Sequence, residues 1–316
     1  MVFGRRLVLT YDSNSKTDGT GAQLQRIFAL YALSKRYRIG FKNSEITSVA
    51  IHPLDSFQSK AEIQKYINLL NCKFNFPETN YELKNKKDVF YVNLNFRILL
   101  LLTLKSFILR SNIVLHVVTP YEIIDYCPNS YRVVPKYLPF VLDNNISKLN
   151  EIKTIAIHYR SGVGGMAVQV GEKFPREIPI TYYLEKVNRI VSNINSGDDF
   201  KILVFTDAPL TDLEYRPPIN QHGLWSNSPG FKDGIMRVLG NDLSSAYRVY
   251  GDKCTIIIGG NPLEAIELMS KSDYLIMGRS SFSYVAAILN QSGEVHFPPH
   301  FWHSPLSDWK IESKKS

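Results

Sequence analysis

The chain has 316 residues, of which 44% are hydrophobic, and a formal net charge of +8. This length and apolar content allow a large buried core, and we expect two domains of ordinary size. Lysines and arginines are scattered along the chain rather than gathered into a basic run. We therefore expect no nucleic-acid partner, and a small anionic ligand explains the charge equally well.

The cysteines and the apolar stretches bear on cellular location. Cys72, Cys127 and Cys254 are far apart and odd in number, which predicts neither a disulfide framework nor a zinc site and indicates a reducing compartment. The N-terminus turns polar too soon for a secretory signal, and no apolar stretch reaches the roughly 20 residues of a membrane span. We therefore expect a cytoplasmic protein without a transmembrane segment.

The N-terminal half predicts strands that alternate with helices. A buried strand, a glycine loop and an amphipathic helix form its first unit, and strands and helical patterns continue after it. The strands are LVLTY (7–11), SVAIH (48–52), DVFYV (88–92) and IVLHVV (113–118). The first helix has Leu24, Ile27, Phe28 and Tyr31 on one face, and further helical patterns lie around 59–70 and 97–109. The last of these predicts a buried helix, with peripheral membrane contact as the alternative.

The same alternation of strands and helices resumes after the polar stretch NNISKLNEIK (144–153), which we interpret as a linker. The predicted strands are TIAIHYR (154–160), KILVF (201–205), CTIII (254–258), YLIMG (274–278) and EVHF (294–297). Segment 208–233 is irregular and long enough to be a functional loop. The pattern predicts an α/β protein with two Rossmann-like, doubly wound parallel-sheet domains, residues 1–145 and 151–316, that face a cleft.

Ligands of parallel sheets bind beyond the carboxyl ends of the strands, and HYRSGVGG (158–165) follows such an end. His158 and Arg160 lie two apart on a strand and share a face. The planar fork of Arg160 suits a phosphate, and glycines such as Gly162 let backbone amides approach the same anion. The alternative is a structural arginine, paired with a carboxylate beside a flexible turn.

Two further strand ends strengthen this interpretation. GRSSFS offers Arg279, the hydroxyls of Ser280 and Ser281, and the amides of a helix start that includes Phe282. Its alternative is an ordinary serine N-cap. Asp207 in FTDAP could bind a ribose hydroxyl or a base, or could be a turn aspartate. Together the segments predict a diphosphate site in the C-terminal domain.

Other motifs are weaker. DGTGAQ (18–23) lacks the third glycine of a dinucleotide fingerprint but starts a helix, and Asp18 there is a candidate general base or a helix-flanking aspartate. In HFPPHFWHS the three histidines have irregular spacing and no acidic residue nearby, so we interpret this segment as a packed loop. The sequence contains no GxSxG, HExxH, P-loop or CxxC motif.

Four segments, taken in order from residue 18 to residue 290, resemble the fucosyltransferase superfamily. DGTGAQLQRIFALYALSK is similar to its G-x-G-N-Q loop and helix, HYRSGVGG to its H-x-R-x-G or H-x-R-R-x-D strand end, and FTDAP to its aspartate after the next strand. SKSDYLIMGRSSFSYVAAILN resembles its late serine-rich helix start. This superfamily includes bacterial α1,2-fucosyltransferases and the protein O- and core α1,6-fucosyltransferases.

The resemblance implies a GT-B fold and an inverting sugar transfer to a glycan hydroxyl without a metal ion. It implies that Arg160 binds the donor diphosphate, that His158 shapes the pocket, and that Asp207 lies near the nucleoside. Ser280, Ser281 and Phe282 would contact phosphate and sugar, and the opposite wall would be lined by Gly19, Gly21 and Gln23.

The sequence departs from the family pattern at the donor motifs. Ser161, and Val163 or Gly162, replace the second arginine and the aspartate of H-x-R-R-x-D, and Ala22 replaces the asparagine of G-x-G-N-Q. The donor is therefore GDP-fucose by family default or a UDP-linked sugar such as UDP-xylose. Asp18 is the favoured base and Glu172 the alternative. A non-catalytic nucleotide- or glycan-binding module with the same fold is the competing function, and a nucleic-acid-binding protein is a third.

Overall fold

The computed structural model describes residues 7–12, 18–50, 55, 57, 59–78, 89–109, 113–138, 152–161, 177–194, 198–209, 211–216, 231–238 and 243–311. The chain divides into two compact units. Unit 1 comprises Met1–Ala50, Ser59–Phe140 and Trp302–Ser307, and unit 2 comprises Ile51–Gln58, Val141–Phe301 and Asp308–Ser316.

Unit 1 contains a four-stranded parallel sheet in the order β2-β1-β4-β3. Its strands are β1 (Leu7–Tyr11), β2 (Gly40–Phe41), β3 (Val89–Asn93) and β4 (Ile113–Thr119). Every residue of β1 is buried, as the continuous apolar run predicts for a strand covered on both faces. Asp12 follows β1, and its amide donates to the carbonyl of Val117 at 3.1 Å.

Unit 1 also contains helices, one of which begins at a clear N-terminal capping signal. They are α1 (Thr20–Tyr37), α2 (Lys60–Lys73), α3 (Phe96–Leu109), α4 (Tyr121–Ile124) and α5 (Val134–Tyr137), with a 3-10 turn at Pro128–Val133. Ser59 and Glu62 form a capping box at the start of α2, each side chain accepting from the other backbone amide at 3.2 Å.

Unit 2 contains a six-stranded parallel sheet in the order β10-β6-β5-β11-β12-β13. The strands are β5 (Lys153–Tyr159), β6 (Phe200–Thr206), β10 (Cys254–Ile258), β11 (Tyr274–Ile276), β12 (Glu294–Phe297) and β13 (Lys310–Ile311). The helices are α6 (Ile180–Asn193), α7 (Leu243–Tyr247), α8 (Pro262–Ser270) and α9 (Ser281–Leu289), with a 3-10 segment at Arg248–Lys253. Two parallel sheets with helices confirm the predicted α/β class.

A second, antiparallel sheet of unit 2 contradicts part of the prediction that segment 208–233 is irregular, and it continues a few residues beyond that segment. Its strands are β7 (Leu213–Tyr215), β8 (Phe231–Lys232) and β9 (Ile235–Val238), in the order β7-β9-β8. Asp233 and Gly234, at φ 52° and 77°, form the two-residue turn between β8 and β9. Asp-Gly is the preferred sequence of such hairpins. Residues 217–230 of the predicted loop, and residues 144–151 of the predicted linker, lie outside the described residues.

The predicted strand SVAIH is wrong at Ser48 to Ala50, and residues 51 and 52 lie outside the described part. The carbonyl of Ser48 accepts from the Gln23 side chain at 2.7 Å, and the amide of Ala50 donates to the Asp18 carbonyl at 3.0 Å. Backbone groups used in this way cannot pair with a strand. Instead β2, at Gly40–Phe41, pairs with β1.

Helix α3 forms where predicted, but the expectation that it is buried is wrong. Leu99 and Ser106 are buried, whereas Phe107 is 77% and Ile108 67% exposed. The helix is apolar around most of its circumference, so the sequence period could not show which face packs. None of the helices in the described part of the chain is long and apolar enough to cross a membrane.

Candidate functional site

Three predicted site segments of unit 2 follow neighbouring strands of its sheet. Strand β5 lies between β6 and β11, and the parallel register places His158 opposite Phe205. Arg160 follows β5 and Asp207 follows β6. Because all three strands are parallel, their carboxyl ends meet at one edge of the sheet. The structure therefore brings together HYR, TDA and the GRSSF segment after β11, which we call the strand-end site.

Arg160 and Asp207 form an ion pair in the strand-end site. The distance from Arg160 Nη1 to Asp207 Oδ2 is 3.2 Å, and each side chain is 13% exposed. The sequence offered two roles for Arg160, phosphate binding or a structural pair with a carboxylate, and this ion pair is the second of them. A guanidinium has five donors, so one ion pair leaves Arg160 able to bind an anion as well.

Gly278 holds the β11–α9 connection against the end of β5. A Cβ at this position would lie 2.5 Å from the carbonyl oxygen of His158 and 3.3 Å from Cβ of Arg160. Such a contact with backbone is too short for any other residue, so only glycine fits without movement. The close approach places the start of α9 beside Arg160.

The start of α9 has the geometry of an anion-binding helix terminus. Ser280 is the N-cap, and its hydroxyl accepts from the amide of Phe282 at 3.2 Å. Ser283 is fully buried and donates to the carbonyl of Gly278 at 3.0 Å, which fixes the turn. Ser281 and Phe282 are half-buried and reach solvent. The start of α9 and Arg160 thus lie at the same edge of the sheet, and helix termini and guanidinium groups are both groups that bind phosphates.

Two predicted binding residues are mostly buried. His158 packs against Phe282, with ring centroids 5.4 Å apart. Arg279 donates from Nε to the carbonyl of Pro299 at 2.8 Å, and burial lowers the pKa of its guanidinium despite the nearby Tyr183. Arg279 thus stabilises the segment after β12. Gly162 and Glu172 lie outside the described residues.

Glu177 is a site-adjacent residue that the sequence analysis missed. Its Oε1 accepts from the hydroxyl of Tyr159 at 3.1 Å and from that of Ser161 at 2.9 Å. It therefore fixes the backbone on both sides of Arg160. No local motif marks Glu177, because its partners lie on another segment.

In unit 1, Asp18 forms an ion pair with Arg26, which also donates to the hydroxyl of Tyr11 at 3.1 Å. Burial alone would lower the pKa of Arg26, but Tyr121, Asp18 and Tyr11 outweigh it and the pKa is raised. Asp18 is half-buried, and part of its carboxylate is engaged by a permanent cation. Arg26 was missed, although a charged residue inside the apolar helix LQRIFALY is a signal that could have found it.

Gln23, predicted to line a ligand-binding wall, has 0% exposure and stabilises the turn before α1. Its Nε2 donates to the carbonyls of Asp18 and Ser48 at 2.8 and 2.7 Å. Gly19 is the N-cap of α1, and its carbonyl accepts from the amide of Ala22 at 3.1 Å. Gly21 is buried in the first turn. Of these predicted residues, Asp18 and Gly19 reach solvent.

The prediction that the histidines of HFPPHFWHS have no acidic residue nearby is wrong. His303 Nδ1 lies 3.1 Å from Asp125 Oδ2, and His296 Nε2 lies 3.0 Å from Glu294 Oε1. The ring of His303 also packs on Tyr121 at 4.4 Å between centroids. Within the described residues, no group of three or more potential ligands could hold a metal ion.

No protein-family model and no curated protein matches the chain. Among solved structures, POFUT1 in complex with GDP-fucose is 8% identical, with 92% of this chain and 96% of that chain covered and a TM-score of 0.50. NodZ α-1,6-fucosyltransferase co-crystallised with GDP is 10% identical, with coverages of 90% and 93% and a TM-score of 0.42. E. coli ADP-heptose LPS heptosyltransferase II is 12% identical, with coverages of 97% and 90% and a TM-score of 0.40.

The likeness to POFUT1 covers almost all of both chains. At this identity it shows the fold alone, and this is the GT-B fold of fucosyltransferase-like glycosyltransferases that the family resemblance implied. The roles of individual residues rest on the geometry of the strand-end site, since a shared fold does not transfer a function.

Proposed function

We propose that the protein is an inverting, metal-independent glycosyltransferase that moves a sugar from a nucleotide-sugar donor to a glycan hydroxyl. The observation that carries this proposal is the position of Arg160 beside the N-terminus of α9, with Gly278 allowing the two to approach. A guanidinium and free helix amides at one sheet edge suit a diphosphate, which is the part common to all nucleotide-sugar donors.

The proposed chemistry needs charge stabilisation on the leaving group. The acceptor hydroxyl attacks the anomeric carbon, the bond from that carbon to the diphosphate oxygen breaks, and a base removes the hydroxyl proton. Negative charge then develops on the departing nucleoside diphosphate. Arg160 and the amide of Ser281 at the start of α9 would stabilise that charge without a metal ion.

Asp18 is the proposed base, and Glu172 is the alternative. Base catalysis by a carboxylate requires a free oxygen within hydrogen-bond reach of the acceptor hydroxyl. One oxygen of Asp18 accepts from Arg26, so the other would receive the proton. The buried Arg26 would fix the carboxylate in one orientation.

GDP-fucose is the first donor that we propose, and a UDP-linked sugar such as UDP-xylose is the second. The GDP-fucose bound to POFUT1, a protein of the same fold, supports the first choice. The replacement of the family's second arginine by Ser161 keeps the second choice open. We further propose a cytoplasmic location, supported by the lack of paired cysteines among Cys72, Cys127 and Cys254.

The first experiment measures nucleotide binding by isothermal titration without added metal. GDP, UDP and their sugar conjugates are compared for the parent, for Arg160→Gln and for Arg160→Lys. The matched control is Arg189→Gln, which changes an exposed arginine on α6. We expect one nucleotide to bind, the Gln variant to lose at least tenfold in affinity, about 1.4 kcal/mol, and the control to bind as the parent does. A folded parent that binds neither nucleotide would contradict the proposal.

The ion pair between Asp18 and Arg26 favours a second candidate function, that of a nucleotide- or glycan-binding module without catalysis. The two candidates differ in turnover. Release of nucleoside diphosphate that depends on an added glycan acceptor identifies an enzyme, whereas tight binding with no release identifies a module.

A further inference from the structure

Helix α3 presents a continuous apolar face to solvent. Six of its apolar side chains are exposed and lie on one side of the helix, at the spacing of three and four residues that brings side chains together. They are Phe96, Leu100, Leu101, Leu104, Phe107 and Ile108, which we call the α3 face. Exposed apolar side chains on a soluble surface usually occur singly, so a contiguous set marks an interaction site.

The hydroxyl groups of the helix lie toward its inner side. Ser106 is buried and donates to the carbonyl of Thr103 at 2.8 Å, and the Thr103 hydroxyl donates to the carbonyl of Leu99 at 2.6 Å. These hydroxyls are satisfied within the helix, so the inner side packs against the unit at little cost.

The apolar surface extends beyond the helix itself. Phe96 packs against Tyr126, which is exposed, with ring centroids 5.9 Å apart. Tyrosines beside an aliphatic surface suit the boundary between an apolar and an aqueous phase.

The charges on α3 are all positive. Arg97 and Lys105 are exposed, and the 14 residues of the helix include no aspartate or glutamate. The Nζ of Lys105 lies 4.6 Å from the ring centroid of Phe90, so the cation sits at the margin of the apolar surface. Long cationic side chains at such margins extend toward anionic headgroups while their stems stay on the apolar surface.

We propose that the α3 face is a peripheral membrane-binding surface that inserts into the headgroup region of an anionic lipid bilayer. Apolar side chains flanked by lysine and arginine on one helix are the features that bind such a surface. The area argues against a second protein chain. A helix of 14 residues is ~21 Å long and ~10 Å wide. Its face therefore covers on the order of 200 Å², well below the ~800 Å² per partner of a stable interface.

This proposal is independent of the proposed glycosyl transfer, and the test needs no nucleotide or acceptor. The full-length protein is floated with vesicles of phosphatidylcholine alone and of phosphatidylcholine mixed with phosphatidylglycerol. The variants are Phe107→Ser combined with Ile108→Ser, and separately Arg97→Gln. The matched control combines Val249→Ser with Ile311→Ser, two residues of unit 2 that are 81% and 61% exposed. The thermal midpoint of each variant establishes that it is folded.

We expect the parent to float with the anionic vesicles and much less with the neutral ones. The double variant on α3 should lose about tenfold or more in bound fraction, since two large apolar side chains leave the interface. Arg97→Gln should weaken binding to anionic vesicles, and the control should bind like the parent. Since the changed side chains are exposed, folding should survive; Phe107→Trp gives a second readout, a blue shift of fluorescence on adding anionic vesicles.

Three results would overturn the proposal. One is a folded parent that floats with neither vesicle. Another is equal loss of flotation in the α3 variant and in the unit 2 control. The last is a parent dimer in light scattering that the α3 variant converts to monomer without any effect on vesicle binding.

Discussion

Arg160 is paired in the structure with the carboxylate of Asp207 at 3.2 Å, and both side chains are largely buried. A diphosphate that binds Arg160 would bring negative charge toward Asp207. The two anions would then compete for one guanidinium, because like charges at this distance repel strongly in a partly buried site. Asp207 would therefore limit the affinity for the nucleotide.

This competition gives a prediction for Asp207→Asn. The variant removes the competing charge but keeps the size of the side chain, so we expect tighter binding of the nucleoside diphosphate, by about three- to tenfold. The check is the dissociation constant from isothermal titration. Weaker binding would instead place Asp207 in direct contact with the ligand, as the family resemblance implies. Asp212→Asn, on a residue exposed before β7, is the matched control.

His296 gives a prediction for pH. Burial lowers its pKa more than Glu294 raises it. Below the ordinary histidine pKa of about 6.5, the unfolded chain binds a proton that the folded chain resists, so the free energy of unfolding falls as pH falls.

We expect His296→Gln to flatten the decline in stability between about pH 7 and about pH 5, by at most ~1.4 kcal/mol per pH unit. Urea unfolding at a series of pH values measures this slope. His300→Asn is the control, because His300 is exposed and asparagine tolerates its φ of 55°. An unchanged slope in His296→Gln would show that other groups cause the acid sensitivity.

Individual site residues differ in how far sequence could predict them. Arg160 and Ser280 follow strands that are plain apolar runs, so the parallel-sheet rule placed them at one edge. The partners of Arg160, Asp18 and Ser161 could not be assigned, because an ion pair or hydrogen bond between segments depends on distances that only the folded chain defines. The Glu177 contacts are of this kind.

At the scale of secondary structure, the β11–α9 connection both supplies the N-cap of α9 and forms part of the strand-end site. Ser280 caps α9, as Asn261 caps α8 by accepting from the amide of Leu263 at 3.0 Å. Both caps stabilise a nine-residue helix of unit 2. Only α9 begins beside Arg160.

The two caps give a matched pair of variants. We expect Ser280→Ala and Asn261→Ala each to lower the free energy of unfolding by about 1 kcal/mol. Ser280→Ala should in addition weaken nucleotide binding several-fold, because the α9 start loses its fixed geometry. Denaturant titration and isothermal titration on the same samples measure both effects. Equal nucleotide affinity in the two variants would show that the start of α9 does not take part in binding the ligand.

Secondary-structure elements were predictable where the apolar pattern has a period and a boundary signal. Strand β1 and helix α1 satisfied this condition. Strand β2 has only two residues, too few for a pattern, and it was missed. The β8–β9 hairpin had the Asp-Gly signal, but the strands beside it are short. Helix α3 was found but its exposed side was not, because its leucines point in most directions.

At the scale of the molecule, the two units are built from interleaved segments. Trp302–Ser307 belongs to unit 1, although the chain before and after it belongs to unit 2. His303 in this segment pairs with Asp125 of the same unit. Unit 1 thus depends on residues that follow almost the whole of unit 2 in the sequence.

This arrangement predicts the behaviour of a nicked chain. A protease site inserted after residue 145 and cleaved in the folded protein should leave the two fragments associated, because the later fragment supplies Trp302–Ser307 to unit 1. Size-exclusion chromatography in native buffer should give one peak, and denaturant should separate two. Fragments that part under native conditions would contradict the prediction. Ending the chain after residue 301 should lower the thermal midpoint of unit 1.

The interleaving also governs how this gene could recombine with a related one. A single crossover near residue 145 would join the early part of unit 1 to a foreign Trp302–Ser307 segment, and Asp125 would meet whatever residue that relative carries in place of His303. A functional chimera would need further crossovers that carry the short segment along with its unit. Exchange of one half of the gene without the other is thus constrained by six residues near the end of the chain, because they belong to unit 1.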